Sequence, residues 1–126
     1  MERKLLIVDD EPHIRMLLQQ TLEELEDEDV VFLTAENGEE AVEIIHAEKP
    51  QLVFLDVMMP KMNGMEVCRR VKKEWGLDEV FIVLLTAKGQ EMDRQKGQEV
   101  GADVYMTKPF DPEAILAKAR EVLSLP

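Results

Sequence analysis

Asp9, Asp10 and Asp56 supply carboxylates, Thr86 a hydroxyl and Lys108 an ammonium, and each stands at the end of a short apolar run. The runs are Leu5–Val8, Leu52–Leu55, Val80–Leu85 and Val104–Met106, and Pro109 directly follows the lysine. Laid side by side as parallel strands, they bring all five groups to the carboxyl edge of one sheet, where open α/β sheets bind ligands. Hard carboxylate oxygens suit Mg²⁺, which takes one or two of them and completes its shell with water, carbonyl or phosphate oxygens. Two carboxylates about 4 Å apart repel by roughly 1–4 kcal/mol, depending on effective dielectric, so the cluster calls for cations. Lys108 supplies one permanently; a divalent ion would supply the rest and shield Asp56 from an incoming phosphoryl group. Phosphoryl transfer needs mainly such positioning and charge neutralisation. Thr86 can bond one phosphoryl oxygen and Lys108 another, and Pro109 admits a cis peptide that would aim the lysine inward.

Singly, none of these residues is specific. An acidic run such as Asp9-Asp10-Glu11 commonly caps a helix, Asp56 and Thr86 suit turns, and lysine usually stays exposed. Their joint placement carries the reading, because each residue type fills only about one position in twenty. Other reactive types read as structural. His13 is expected on a helix surface, and His46 lies on a helix with no carboxylate or metal cluster near it. Met58, Met59, Met62 and Met65 suit adaptable packing under a loop. Cys68 reads as a small core residue, and Trp75 as structural and distant from Asp56.

The elements that must hold the site are visible in the hydrophobic pattern. Continuous apolar strands, with a further one at Val30–Leu33, alternate with amphipathic stretches of helix length, which predicts a parallel sheet covered on both faces and five βα units. Helix 1 opens at Pro12 and carries Ile14, Leu17, Leu18, Thr21, Leu22 and Leu25 at helical spacing. Helix 2 follows the Asn37-Gly38 turn, shows Ala41, Val42, Ile44 and Ile45, and stops before Pro50. Helix 3 uses Met65, Val67, Cys68 and Val71. Helix 5 has Asp111 as cap, then Ile115, Leu116, Ala119, Val122 and Leu123. Helix 4, about 90–100, is mostly polar, has Met92 and Val100 as large apolar anchors and holds Gly97 inside, so it is expected to be the loosest element.

At 126 residues the chain is one domain's length. Its 27 acidic against 15 basic residues give a net charge of −12, which repels nucleic-acid backbones and anionic lipid. Direct nucleic-acid binding and membrane association are therefore not expected. The first apolar run ends after four residues at a charged cluster, unlike a signal peptide or a membrane span, which predicts a cytoplasmic protein. The single cysteine excludes an internal disulfide and a cysteine-based zinc cluster.

VDDE at 8–11, LDVMMPKMNG at 55–64, LLTAKG at 84–89 and GADVYMTKPF at 101–110 closely resemble the CheY-like receiver domain of two-component response regulators. The resemblance spans essentially the whole chain, 1–126. It implies a flavodoxin-like (βα)5 doubly wound fold, with a five-stranded parallel sheet in the order 2-1-3-4-5. It also implies that Asp56 accepts a phosphoryl group from a sensor histidine kinase or phosphotransfer protein, as a switch and not as a multiple-turnover enzyme. By the same resemblance Asp10, Asp56 and the Met58 carbonyl would bind Mg²⁺ directly, and Asp9 largely through water. Thr86 and Tyr105 match the family's switch pair, which reshapes the surface of helix 4, strand 5 and helix 5 for a downstream output protein or domain. A dimer formed on phosphorylation is a further partner that the sequence allows. Met58 and Lys88 stand where rapidly dephosphorylating members carry amide or acidic groups, which predicts slow loss of phosphate.

Two rivals share part of this chemistry. Haloacid-dehalogenase phosphatases also use an aspartyl phosphate with Mg²⁺, but place the nucleophile in a DxDx(T/V) motif after strand 1, where this chain has DDEP. Flavodoxin-like cofactor binders need a Ser/Thr/Gly-rich phosphate cradle that this loop lacks. A degenerate receiver that only scaffolds its partners is disfavoured, because every pocket residue is present.

Overall fold

A computed structural model describes residues 2–87, 95–96 and 98–125. Five parallel strands, β1 (Arg3–Val8), β2 (Val30–Ala35), β3 (Leu52–Asp56), β4 (Phe81–Ala87) and β5 (Val104–Lys108), form one sheet in the order β2-β1-β3-β4-β5. This is the predicted doubly wound, flavodoxin-like order. The order reverses beside β1, so the ends of β1 and β3 flank the ligand crevice of such sheets. The register places Val8 opposite both Ala35 and Leu55, and Asp56 opposite Leu85.

Side chains alternate across the sheet and feed two cores. Leu6, Val8, Val53, Leu55, Ile82 and Leu84 face one side, and Leu5, Ile7, Leu52, Phe54, Val83 and Leu85 the other. Helices α2 (Gly38–Glu48) and α3 (Gly64–Arg69) cover the first face through Ala41, Val42, Ile45, Val67, Cys68 and Val71. Helix α1 (Pro12–Thr21) and the C-terminal helix (Pro112–Val122) cover the second through Leu18, Leu22, Ile115 and Ala119. Each fully buried Leu or Ile contributes about 1.5–3 kcal/mol by leaving water, so both faces resist one-residue register slips.

Helix starts follow from local hydrogen bonding. The side chains of Asn37, Asn63 and Asp111 accept from the backbone N–H groups of Glu40, Glu66 and Glu113 and cap their helices. Helix α2 ends at Lys49, which adopts a left-handed φ of 46° just before Pro50.

The structure departs from the sequence expectation at two helix ends. Helix 1 does not continue as α-helix to Leu25; it stops at Thr21, and Glu23–Glu28 wind as a tighter 3-10 helix that still buries Leu22 and Leu25. Leu17, expected on its buried face, is 44% exposed beside Met16. Helix 3 turns into a π-helical turn at Arg70–Glu74, closed by Trp75 N–H donating to the Arg70 carbonyl at 2.9 Å. Most of the expected helix 4 lies outside the described residues; those at 95–96 and 98–99 are helical.

An ion pair between a buried lysine and a partly exposed aspartate joins the π turn to the approach of β5. Lys72 Nζ lies 2.8 Å from Asp103 Oδ2, and the same carboxylate oxygen accepts from Ile82 N–H at 2.8 Å.

Candidate functional site

The carboxyl edge of the sheet brings the predicted residues together. Asp9 follows β1 and is held there by its N–H, which donates to the Ala35 carbonyl at 3.2 Å. Its carboxylate is fully buried; one oxygen accepts from Glu11 N–H at 3.0 Å and the other from Lys108 Nζ at 2.9 Å. Asp56 closes β3, is 5% exposed, and its carboxylate sits 3.0 Å from the same ammonium. Asp10 is exposed at the rim, and carboxylate oxygens of Asp9, Asp10 and Asp56 lie within 4.8 Å of one another.

Thr86 is buried on β4, one residue beyond the Leu85 that pairs with Asp56. Lys108 reaches the cluster from the last position of β5, and its peptide bond to Pro109 is cis, as the sequence allowed. Tyr105 pairs with Leu84 and Thr107 with Thr86, so Tyr105 and Thr86 share a face of the sheet on adjacent strands.

The charge balance of the cluster is unfavourable as it stands. Burial, and then the charge of Asp9, push the Asp56 carboxyl up from 3.8 to about 6, against the opposing pull of Lys108. Burial works against the Lys108 charge, yet its bonds to Asp9 and Asp56 still raise its pKa above the ordinary value. Three carboxylates share one ammonium, which leaves roughly two negative charges and an all-oxygen donor set suited to a hard divalent cation.

The loop after β3 is held by backbone contact. Gly64 N–H donates to the Val57 carbonyl at 2.9 Å, and a side chain at Gly64 would run into the Asp56 carbonyl oxygen. A side chain at Gly38 would likewise run into the Met62 carbonyl oxygen, so the start of α2 abuts the same loop. The sequence carries a signal of this in the two matching stretches Asn37-Gly38-Glu39-Glu40 and Asn63-Gly64-Met65-Glu66.

The remaining candidates separate. His13 is a surface residue 3.4 Å from the Glu11 carboxylate, and His46 packs its ring on Trp75 away from the acidic cluster. Met59, Met62 and Met65 pack against the core as expected, but Met58, two residues past Asp56, is 65% exposed and takes no part in that packing. Cys68 is buried, and burial pushes its thiol up to about 12, so it is an inert core residue. Lys88 lies outside the described residues.

Comparison with known proteins agrees with this geometry. The family model of the response regulator receiver domain matches residues 5–120. The chain belongs to that family. This receiver domain is 46% identical, over 98% of its length, to the alkaline phosphatase synthesis transcriptional regulatory protein PhoP of Bacillus subtilis (strain 168), of which it covers 49%. The chain thus spans about half the length of the curated relatives it matches. Among solved structures it is similar to the chemotaxis protein CheY4 of Vibrio cholerae, with a TM-score of 0.82 and 32% identity over 98% of this chain and 100% of that one. It is also similar to the BeF3-activated DrrB receiver domain, with a TM-score of 0.84 and 35% identity over 98% of this chain and 99% of that one. None of the described helices is long and apolar enough to cross a membrane.

Proposed function

We propose that this receiver domain is a phosphorylation-activated switch in which Asp56 accepts a phosphoryl group from the phosphohistidine of a sensor kinase or phosphotransfer protein. The single observation that carries this reading is the convergence of Asp9, Asp10, Asp56 and Lys108 at one sheet edge, with ion-pair distances of 2.9 and 3.0 Å from the lysine. An Asp56 oxygen forms the new P–O bond while the P–N bond of the donor breaks, and the electron pair leaves with the imidazole nitrogen. Lys108 pairs with a phosphoryl oxygen and Thr86 donates to another, which neutralises charge where it develops.

Asp9, Asp10 and Asp56, with the backbone carbonyl of Met58, would hold Mg²⁺. Its chemistry there is charge neutralisation of the acidic cluster and of the phosphoryl oxygens. The domain takes one phosphoryl group per signalling cycle and is not a multiple-turnover enzyme. Thr86 and Tyr105, on one sheet face, pass the change to the surface around β5 and the C-terminal helix, which a downstream output protein or domain reads. The work is cytoplasmic, with no direct nucleic-acid contact by this domain.

Incubation with acetyl phosphate and Mg²⁺ tests the reading by intact mass and released phosphate. One adduct per chain is expected in the wild type and none in Asp56→Asn. Labelling at wild-type yield on another residue would refute the assignment, and continuous phosphate release without an adduct would indicate a phosphatase.

A further inference from the structure

The edge strand β5 is tied at both ends, and the two ties differ in kind. At its carboxyl end Lys108 reaches Asp9 and Asp56, the second of which is the proposed phosphoryl acceptor. Ahead of its amino end, the chain at 100–103 is packed on α3 and its π turn. Cys68 Sγ donates to the Val100 carbonyl at 3.6 Å. Gly101 holds a φ of 93°, and a side-chain carbon added there would sit 3.1 Å from Lys72 Cβ, so its backbone runs directly over the lysine stem. Asp103 then meets the Lys72 ammonium at 2.8 Å.

Asp103 is also bound to β4 twice over. Its carboxylate accepts from Ile82 N–H at 2.8 Å, and its own N–H donates to the Ile82 carbonyl at 3.0 Å, one pair ahead of Val83 and Val104. The buried Lys72 donates to the Asp78 carbonyl as well, at 3.4 Å, so one ammonium joins the approaches of β4 and β5. The residues after the π turn are fixed in the same place, with Leu77 N–H donating to the Val71 carbonyl at 3.0 Å. Displacing Asp103 would strand a buried ammonium and break both bonds to Ile82, and a buried charge without its partner is costly. Beyond Asp103 the strand is held less tightly. It pairs with β4 alone, Tyr105 and Met106 are half-buried and Thr107 is exposed.

We propose that the Lys72–Asp103 joint is a fixed pivot that keeps 100–103 with α3. The rearrangement driven at Asp56 is then confined to β5 beyond Asp103 and to the surface that follows it, and the face made by α2 and α3 is insulated. Lys72 is a positioning residue, acting through Asp103. The insulation rests on the switch reading above, whereas the pivot does not.

Hydrogen exchange of the whole chain, read amide by amide, tests both parts. Without ligand, Lys72→Met is expected to speed exchange of the Ile82 and Asp103 amides about tenfold more than it speeds the amides of β1 and β3, which report only the general loss of stability. Where that variant is too unstable to read, Lys72→Met with Asp103→Asn removes both charges, keeps an acceptor for Ile82 and is judged in the same way. With beryllofluoride, a phosphoryl mimic, and Mg²⁺, wild-type exchange should change at 104–108 and stay within about twofold at 70–78, and in the variant the change should spread to 70–78. Ile82 and Asp103 amides that speed up no more than those of β1 and β3 would overturn the pivot. A wild-type change at 70–78 as large as that at 104–108, or a variant response confined as in the wild type, would overturn the insulation. Absence of a bound beryllofluoride signal in fluorine NMR would count against the acceptor reading instead, with the ligand-free comparison still deciding the pivot.

Discussion

Replacing Asp56 by asparagine should stabilise the metal-free protein at neutral pH, even though it removes the proposed acceptor. The Asp56 carboxyl is held at about 6 in the folded chain against its ordinary 3.8, by burial first and by Asp9 second. A raised native pKa means that the folded state holds this proton more tightly than the unfolded state does. The unfolding free energy therefore falls as pH climbs from about 4 to about 6 and stays lowered above that. At 1.36 kcal/mol per pH unit the full penalty is about 3 kcal/mol. Asparagine removes the charge but also the ion pair with Lys108 at 3.0 Å, and water at the rim of the pocket screens part of the effect, which leaves a gain of about 1–2 kcal/mol. For a domain of this size that corresponds to a melting temperature higher by roughly 3–10 °C. The assay is thermal unfolding in EDTA at pH near 7.5 and again near 4, then with millimolar Mg²⁺. Most of the gain should be gone near pH 4, where the carboxyl is protonated in the folded state and partly so in the unfolded one, and Mg²⁺ should raise the wild type more than the variant. A wild type as stable as the variant at neutral pH without metal, or a gap that persists unchanged near pH 4, would refute the reasoning.

Gly64→Ala should destabilise the fold by about 2 kcal/mol or more, because the added carbon meets the Asp56 carbonyl oxygen and only backbone movement can relieve it; urea unfolding measures it, and a change below about 0.5 kcal/mol would contradict the packing. Lys72→Met should cost about 2–3 kcal/mol, less than a fully buried pair because Asp103 is 30% exposed, and Lys72→Met with Asp103→Leu should recover part of it. Recovery is incomplete because Asp103 also accepts from Ile82 N–H. Met58→Asn with Lys88→Glu should speed the loss of phosphate from labelled protein, since amide and carboxylate oxygens can orient a water where a thioether and an ammonium cannot; equal decay rates would remove water access as the explanation.

Strands were the most legible part of the fold, because all five lie in a parallel sheet and the inner ones bury both faces, leaving runs such as Leu52–Leu55 with little choice but strand. Helix 1 was read too long because Leu22 and Leu25 are buried whether the backbone winds as α or as 3-10, and periodicity over one turn does not separate the two. The three carboxylates of the acidic cluster and Lys108 were readable from their places at strand ends. The full burial of Asp9 and its direct bond to Lys108 were not, because they depend on how far the lysine side chain reaches from the end of β5 past β4 and β3. The Lys72–Asp103 pair was hidden for a related reason: its partners are 31 positions apart, and a π turn carries the lysine inward.

Gly38 has a genetic consequence. It belongs to no strand, carries no charge and lies well before Asp56 in the chain, yet any side chain there must push against the Met62 carbonyl in the loop that follows Asp56. A saturation screen for loss of signalling should therefore return Gly38 among its least tolerant positions, beside residues that touch the phosphoryl group. Second-site suppressors should fall in the 57–64 loop, where a small backbone shift can reopen the space.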